Sequence, residues 1–137
     1  MTVPFVDTDV IIRLLANDDL NKQAAAAALF QKVKEGQLQV AAPDTVIADA
    51  VYVLASARLY RLPRQTVRQL LAPLVQLPGF KIRNRRAVLR ALDLYASANI
   101  DFGDALIVAS MEQAGSQVIY AYDHDFENIK GITRRAP

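Results

Sequence analysis

The most informative stretch of the sequence is Val3-Pro4-Phe5-Val6-Asp7, a short apolar run closed by an acid. It predicts a buried strand that ends at Asp7. The run from Val118 to Tyr122 repeats the pattern and is followed by Asp123. Two further short strands are predicted, over Leu38–Ala41 and Phe80–Ile82. Because short buried strands alternate with longer helices, we expect an α/β fold, a three-layer α/β/α sandwich with a short, mostly parallel central sheet.

Helices are predicted wherever capping residues precede an amphipathic or alanine-rich run and glycine or proline follows it. The first two predicted helices are Ile11–Ala16 and one from the Asn17-Asp18-Asp19 cluster to Lys34, with Gly36 as its stop. The third opens at Pro43-Asp44-Thr45, with Asp44 or Thr45 as N-cap, and continues to about Arg58, and the fourth starts at Pro63 and loses its pattern near Pro73. The last two are Arg85–Ala98 and a helix from Asp101 to Gly115.

Length and composition narrow the classes of protein. A chain of 137 residues with 53% hydrophobic and 22% charged residues predicts a single globular domain over residues 1–137. Cysteine is absent and His124 is the single histidine, which excludes thiol catalysis and sites built from several imidazoles. The formal net charge of +2 permits a nucleic-acid partner. No apolar run approaches the roughly 20 residues of a membrane span, and the N-terminal residues lack a basic n-region. We therefore expect a cytoplasmic protein without a membrane partner.

Four acids lie beside apolar residues: Asp7, Asp49, Asp104 and Asp123. A carboxylate in apolar surroundings must be paired, protonated or bound to a metal, because burying it uncompensated is costly. Helical spacing places Asp49 with Val46, Ala50 and Val53, which predicts that it points with the core face.

The predicted fold brings these acids towards one edge of the sheet. Asp7 and Asp123 end strands, and ligands of open parallel sheets bind beyond the carboxyl ends of the strands. Asp104 lies in the first turn of a helix that would begin at that edge. Carboxylates without Cys favour a hard cation, Mg²⁺ or Mn²⁺. The expected chemistry is metal-assisted attack of water on a phosphodiester, with one ion or with two ions about 4 Å apart.

Each acid also has a purely structural interpretation. Asp101 could cap its helix, with Asp104 placed favourably for the helix dipole. Asp123 and Asp125 could be ordinary turn acids. Asp49 could pair with a buried arginine. Arginines cluster at 58/61/64/68 and 83/85/86/90, with Lys130/Arg134/Arg135 near the end, and could contact RNA phosphates, form a solvated surface or meet an acidic partner.

Taken together, these residues resemble a PIN domain, specifically the VapC-type toxins of type II toxin–antitoxin pairs. The resemblance covers nearly the whole chain. It is carried by Val6-Asp7-Thr8-Asp9-Val10-Ile11, by Asp101-Phe102-Gly103-Asp104-Ala105-Leu106-Ile107, by Tyr122-Asp123-His124-Asp125-Phe126, and by the helix that starts at Pro43 and bears Asp49.

The resemblance implies an Mg²⁺- or Mn²⁺-dependent ribonuclease, a homodimer, that a cognate antitoxin protein holds inactive. By position, the implied catalytic and metal-binding acids are Asp7, Asp49, Asp104 and Asp123. Thr8, Asp9 and Asp125 are the implied auxiliary residues. Water attacks an RNA phosphodiester in this mechanism, and no separate general base is assigned.

Two positions depart from the family pattern. Asp49 stands where the family usually has Glu, so this carboxylate is one methylene shorter. Ala121 stands where Thr or Ser is usual, which removes a hydroxyl that would orient the ligands. These departures keep open a catalytically weak or silent PIN-fold module that binds RNA or protein. A further alternative is an Asp-nucleophile phosphatase with Asp7 attacking phosphorus, although no lysine stands clearly at a strand end to balance the phosphate charge.

Overall fold

The computed structural model describes residues 2–137, and Met1, the first residue of the predicted domain, lies outside them. The chain divides into two compact units, Met1–Arg85 and Arg86–Pro137. The single domain over residues 1–137 stays a prediction.

The unit Met1–Arg85 combines helices with two short parallel strands. Its elements are α1 (Thr8–Leu15), α2 (Leu20–Lys34), β1 (Val40–Ala42), α3 (Asp44–Ala55), α4 (Arg64–Val75) and β2 (Phe80–Ile82). Strand β1 pairs in parallel with β2, with Ala41 opposite Lys81. On its other side β1 forms a single parallel bridge, between Ala41 and Phe5. The N-terminal segment, β1 and β2 therefore all run the same way, and Asp7 follows the end of the first.

Local capping explains where the helices of this unit begin and end. Asp7 is the N-cap of α1, and Asp19 is the N-cap of α2, where its side chain accepts a hydrogen bond from the Lys22 N–H at 3.0 Å. After α2 the chain turns at Gly36, whose φ of +78° is a left-handed conformation that glycine adopts without steric cost. The core beneath the helices includes Phe80, which is fully buried and packs edge-on against Phe30 with ring centroids 5.4 Å apart.

The unit Arg86–Pro137 has a second parallel strand pair. It contains most of α5 (Arg85–Ser97), then α6 (Phe102–Ala114), β3 (Val118–Tyr120), a 3-10 helix (His124–Asn128) and β4 (Thr133–Arg135). Strand β3 pairs in parallel with β4, with Tyr120 opposite Arg135. Helix α6 ends at Gly115, again in the left-handed region. Tyr95 and Phe102 pack edge-on in the core of this unit, with ring centroids 6.3 Å apart.

The predicted buried strand over Val3–Val6 was wrong in extent and in burial. Only Val6 of this segment is buried, and the Phe5 side chain is 73% exposed. The pairing with β1 consists of the Val6 N–H donating to the Ala41 carbonyl and the Ala41 N–H donating to the Pro4 carbonyl, both at 2.9 Å. Pro4 has no N–H to extend the ladder, so pairing stops after one bridge.

Other boundaries differ by a few residues. Helix α1 begins at Thr8, three residues before the predicted start, because Asp7 caps it. The N-cap of α3 is Pro43, not Asp44 or Thr45, and α3 ends at Ala55. Strand β3 stops at Tyr120, its side chains are largely exposed, and β4 was not predicted. Among residues 2–137, no helix has the length and apolarity that crossing a bilayer requires.

Candidate active site

Asp7 is held at the junction between the first apolar segment and α1. The Thr8 N–H donates a hydrogen bond to the Asp7 carboxylate at 2.7 Å, and the Thr8 hydroxyl donates to the Val46 carbonyl on α3 at 3.3 Å. The side chain of Asp7 is nevertheless exposed. The carboxylate is thus fixed at a helix N-terminus and remains accessible to a ligand, which corrects the expectation of an apolar environment.

Asp49 is also exposed, so the prediction that it points with the core face was wrong. The buried positions of α3 are Val46, Ile47, Ala50, Val51 and Leu54. At 100° per residue this stripe is centred between Ala50 and Leu54, and Asp49 lies about 130° from that centre. The predicted stripe included Val53, which is only half-buried, so its predicted centre lay closer to Asp49.

One cleft of this unit brings together the predicted site residues of its half of the chain. The cleft has a volume of about 440 Å³ and is lined by Asp7, Thr8, Asp9, Ile12, Arg13, Asp49, Val53, Leu59 and Tyr60. Three carboxylates and the predicted auxiliary Thr8 therefore line the same open space. Carboxylate oxygens are the ligands that hard divalent cations prefer.

Sequence reasoning missed Arg13 and Tyr60, which line this cleft, and Asp18, which contacts both of them. The Tyr60 hydroxyl donates to Oδ2 of Asp18 at 2.5 Å, and the Arg13 guanidinium donates to Oδ1 of the same carboxylate at 3.2 Å. The hydrogen bond from Tyr60 is the main cause that lowers the pKa of Asp18, and the same contact raises the pKa of Tyr60. Asp18 lies in the Asn17-Asp18-Asp19 cluster at a predicted helix start, so the sequence indicated no further role for it. No local pattern links it to Tyr60, 42 residues away.

The second group of predicted acids lies in the unit Arg86–Pro137. Asp104 is in the first turn of α6 and is half-buried. Asp101 is the N-cap residue of α6, but its side chain makes no capping hydrogen bond. Asp123 caps the 3-10 helix, where its carboxylate accepts from the Asp125 N–H at 2.8 Å. The interpretation of Asp123 as a turn acid is confirmed for its hydrogen bonding. Its carboxylate is exposed, and within residues 86–137 it forms no ion pair with a basic side chain.

Electrostatics single out Asp104 within this group. Burial is the largest cause that raises its pKa, and the nearby negative charges of Asp123, Asp101 and Asp125 raise it further. Like charges held this close are unfavourable in the absence of a cation. The chemistry of this donor set, all carboxylate, therefore fits a hard divalent cation.

The described acids of each unit do not form a compact metal-binding cluster. Neither residues 2–85 nor residues 86–137, taken separately, hold three acidic or histidine side chains grouped closely enough to bind an ion alone. His124 is exposed and pairs with Glu127 at 3.1 Å, a carboxylate that also accepts from Arg134 at 2.8 Å. These contacts give His124 a local structural partner.

Comparison with known protein families identifies the family of the chain. The model of the family described as PIN domain matches residues 5–132. The chain belongs to the PIN domain family. The PIN domain is generally a nuclease fold, its members are typically metal-dependent nucleases, and they commonly use divalent metals. The predicted fold class, α/β with short parallel strands, is confirmed. No curated protein matches the chain.

The PIN domain match covers acids of both units. The matched range contains all four predicted acids, Asp7, Asp49, Asp104 and Asp123. Which of them bind the ion stays a prediction. Of these four carboxylates, Asp7 and Asp123 are oriented by hydrogen bonds from backbone N–H groups.

Proposed function

We propose that this PIN domain is an Mg²⁺- or Mn²⁺-dependent endoribonuclease. The observation that carries the proposal is the PIN domain match over residues 5–132, which includes every carboxylate that the sequence singled out. The mildly basic balance, +2 overall, is compatible with a polyanionic substrate.

The proposed reaction is hydrolysis of an RNA phosphodiester by water. A divalent cation, when bound, polarises a phosphoryl oxygen and lowers the pKa of a coordinated water. Asp7, Asp49, Asp104 and Asp123 would hold the ion. The backbone N–H of Thr8 fixes the carboxylate of Asp7. The N–H of Asp125 does the same for Asp123, so both ligands are oriented before substrate arrives.

We extend the proposal to the biological role on the strength of the resemblance to VapC-type toxins. The protein would act in the cytoplasm as the toxin of a toxin–antitoxin pair, form a homodimer, and be inhibited by a cognate antitoxin protein. Large apolar side chains such as Leu20, 73% exposed at the start of α2, and Phe5, 73% exposed in the N-terminal segment, are available for protein contacts of this kind.

A second candidate is a catalytically weak or silent module that binds RNA or protein. Two observations favour it. Asp49 carries a shorter side chain than the glutamate usual at this position, and Ala121 lacks the usual hydroxyl. A ligand one methylene short would reach the ion less directly, which weakens metal binding or slows the reaction.

Cleavage of a panel of structured RNAs, tRNAs included, tests the proposal. Purified protein free of antitoxin is assayed in Mn²⁺, in Mg²⁺ and in EDTA, with Asp7→Asn as the control for contaminating nucleases. We expect metal-dependent cleavage that the Asp7→Asn variant lacks. Equal cleavage by the variant, or none by a folded wild-type protein that binds Mn²⁺, would favour the silent module.

A further inference from the structure

The cleft at Asp7 has a lining whose chemistry goes beyond metal binding. Besides the carboxylates, it is lined by a cation, Arg13, and by the apolar and aromatic side chains of Leu59 and Tyr60. A metal site alone requires oxygen ligands. An arginine beside an aromatic ring is instead the combination that binds a nucleotide, with the guanidinium for phosphate and the ring for a base.

Asp18 holds these two side chains in place. Each of its carboxylate oxygens accepts one hydrogen bond, Oδ2 from Tyr60 at 2.5 Å and Oδ1 from Arg13 at 3.2 Å. The turn between α1 and α2 is thereby tied to the loop that follows α3. Fixing both side chains before binding reduces the entropy that a ligand would otherwise lose in ordering them.

The loop that carries Tyr60 is itself closely constrained. The Ser56 carbonyl accepts from the N–H groups of Leu59 at 3.0 Å and Arg61 at 2.9 Å, and the Leu62 N–H donates to the Leu54 carbonyl at 2.9 Å. Arg61 has a left-handed φ of +50°, an unusual conformation for a residue with a side chain. The backbone of the loop is thus well suited to hold an aromatic side chain at the cleft.

Charge near the loop also suits an anionic ligand. Arg58 and Arg61 flank Tyr60 in the sequence, and both are exposed. They add positive charge next to a cleft whose carboxylates would be neutralised by a bound cation. The subsite therefore offers phosphate recognition and base stacking within a few residues.

We propose that Arg13 and Tyr60, positioned by Asp18, form a subsite that binds a nucleotide of single-stranded RNA next to the phosphodiester that is cut. The inference rests on the proposed ribonuclease function and names the part of the substrate that this wall of the cleft recognises. A single strand is required because a base must leave its duplex stack to lie against the ring.

Binding and cleavage are measured separately. Binding is followed by fluorescence anisotropy with a labelled single-stranded oligoribonucleotide, in EDTA and in Ca²⁺ over a range of salt concentrations, and a gel checks that the RNA stays intact. Cleavage of unmodified single-stranded RNA in Mn²⁺ gives kcat and KM. Tyr52→Ala is the matched control, because Tyr52 is an exposed tyrosine of the same unit that does not line the cleft.

We expect Tyr60→Ala to weaken binding and raise KM about tenfold or more while kcat changes by less than about threefold, the range for losing one stacked base. Tyr60→Phe keeps the ring but loses the hydrogen bond to Asp18, so its loss of binding should lie between wild type and Tyr60→Ala. Arg13→Gln should lower the slope of log K against log salt by about one phosphate contact. Asp18→Asn should weaken binding without removing either contacting group, and Tyr52→Ala should behave as wild type.

Several results would overturn the subsite. Unchanged binding by both Tyr60→Ala and Arg13→Gln would do so. Equal binding of the same RNA as a duplex, or no binding of the oligonucleotide by wild type, would also do so. If Tyr60→Ala fails to fold, as thermal melting would show, Tyr60→Phe and Arg13→Gln still decide the question. Binding that depends on Tyr60 in a protein that cuts no RNA would refute the nuclease and leave the subsite standing. Cleavage by wild type with unchanged variants would refute the subsite alone.

Discussion

Replacing Asp104 with asparagine should stabilise the protein near neutral pH and abolish cleavage. Asp104 is half-buried, and burial together with the charges of Asp123, Asp101 and Asp125 raises its pKa above the usual 3.8. Between pH 3.8 and the raised pKa, the folded protein binds more protons at this group than the unfolded chain does. The free energy of unfolding therefore falls as pH rises through that window, and the penalty is complete above it. Asparagine carries no charge and avoids this penalty.

The magnitude follows from two opposing contributions. Relief of a like-charge contact that is partly screened by solvent contributes about 1 kcal/mol at most. Asparagine also loses the favourable interaction of a carboxylate with the N-terminus of α6, about 0.3–0.5 kcal/mol. The net gain at pH 7 is about 0.5 kcal/mol, or about 2 °C in Tm for a chain of this size. A bound cation changes the sign, because at ten times its Kd it stabilises wild type by about 1.4 kcal/mol.

Urea denaturation between pH 3.5 and 7.5, without metal and then with Mn²⁺, measures these differences. Asp101→Asn is the comparison variant, since Asp101 is an exposed acid at the same helix terminus. Its loss removes its own interaction with the helix dipole and one of the charges that raise the pKa of Asp104, but leaves Asp104 and its burial in place. We expect the advantage of Asp104→Asn to disappear below about pH 4 and Mn²⁺ to stabilise wild type more than the variant. A constant difference across pH would refute the electrostatic argument. Equal stabilisation of both proteins by Mn²⁺ would show that Asp104 does not bind the ion.

Three other predictions concern Gly79, Asp49 and Glu112. Gly79→Ala should destabilise the fold by about 1–3 kcal/mol, because an added Cβ would lie 3.0–3.2 Å from two backbone oxygens, whereas at Gly103 it meets nothing within 4 Å. Gly103→Ala should therefore leave the melting temperature unchanged or raise it, and equal losses in the two variants would contradict this account. Asp49→Glu should increase the rate of RNA cleavage if the shorter side chain limits the site, and an unchanged low rate would favour the binding module. Glu112→Gln should cost about 0.3–1 kcal/mol at pH 7, since Glu112 makes a two-point contact with Arg90 at 2.8 and 3.1 Å that is partly exposed. That contact lowers the pKa of Glu112 from 4.5, so its contribution to the free energy of unfolding is present above about pH 4.5 and lost below the pKa in the folded protein. If the denaturation curves of wild type and variant differ equally at pH 3 and pH 7, the ion pair does not make this contribution.

Local signals in the sequence predicted much of the secondary structure. Strand β2 was predicted with its observed bounds, and the ends of α2 and α6 were marked by Gly36 and Gly115. Both glycines have left-handed backbones, which explains why they stop the helices that precede them. Caps and stops of this kind act within a few residues, so they can be recognised from the chain alone.

Strand pairing was less accessible. Strand β4, Thr133–Arg135, has no apolar alternation and its residues are mostly exposed, so nothing in its sequence indicates a strand. It forms because its backbone pairs with β3, as in the hydrogen bond from the Ala121 N–H to the Arg135 carbonyl at 3.1 Å. The partner lies about fifteen residues away, and register between them depends on the intervening turn.

In the candidate site, too, some features follow from local sequence and others from long-range contacts. The sequence alone determined the family, since the PIN domain model matches it over residues 5–132, and it determined that a carboxylate would follow the first apolar segment at Asp7. Only the tertiary structure decided that Asp49 is exposed and that Asp18 joins Arg13 to Tyr60 at the cleft. The physical reason is the distance along the chain over which each interaction acts. Caps and helix stops depend on neighbours in the chain, whereas the exposure of a helix face and a contact across 42 residues depend on which elements pack together.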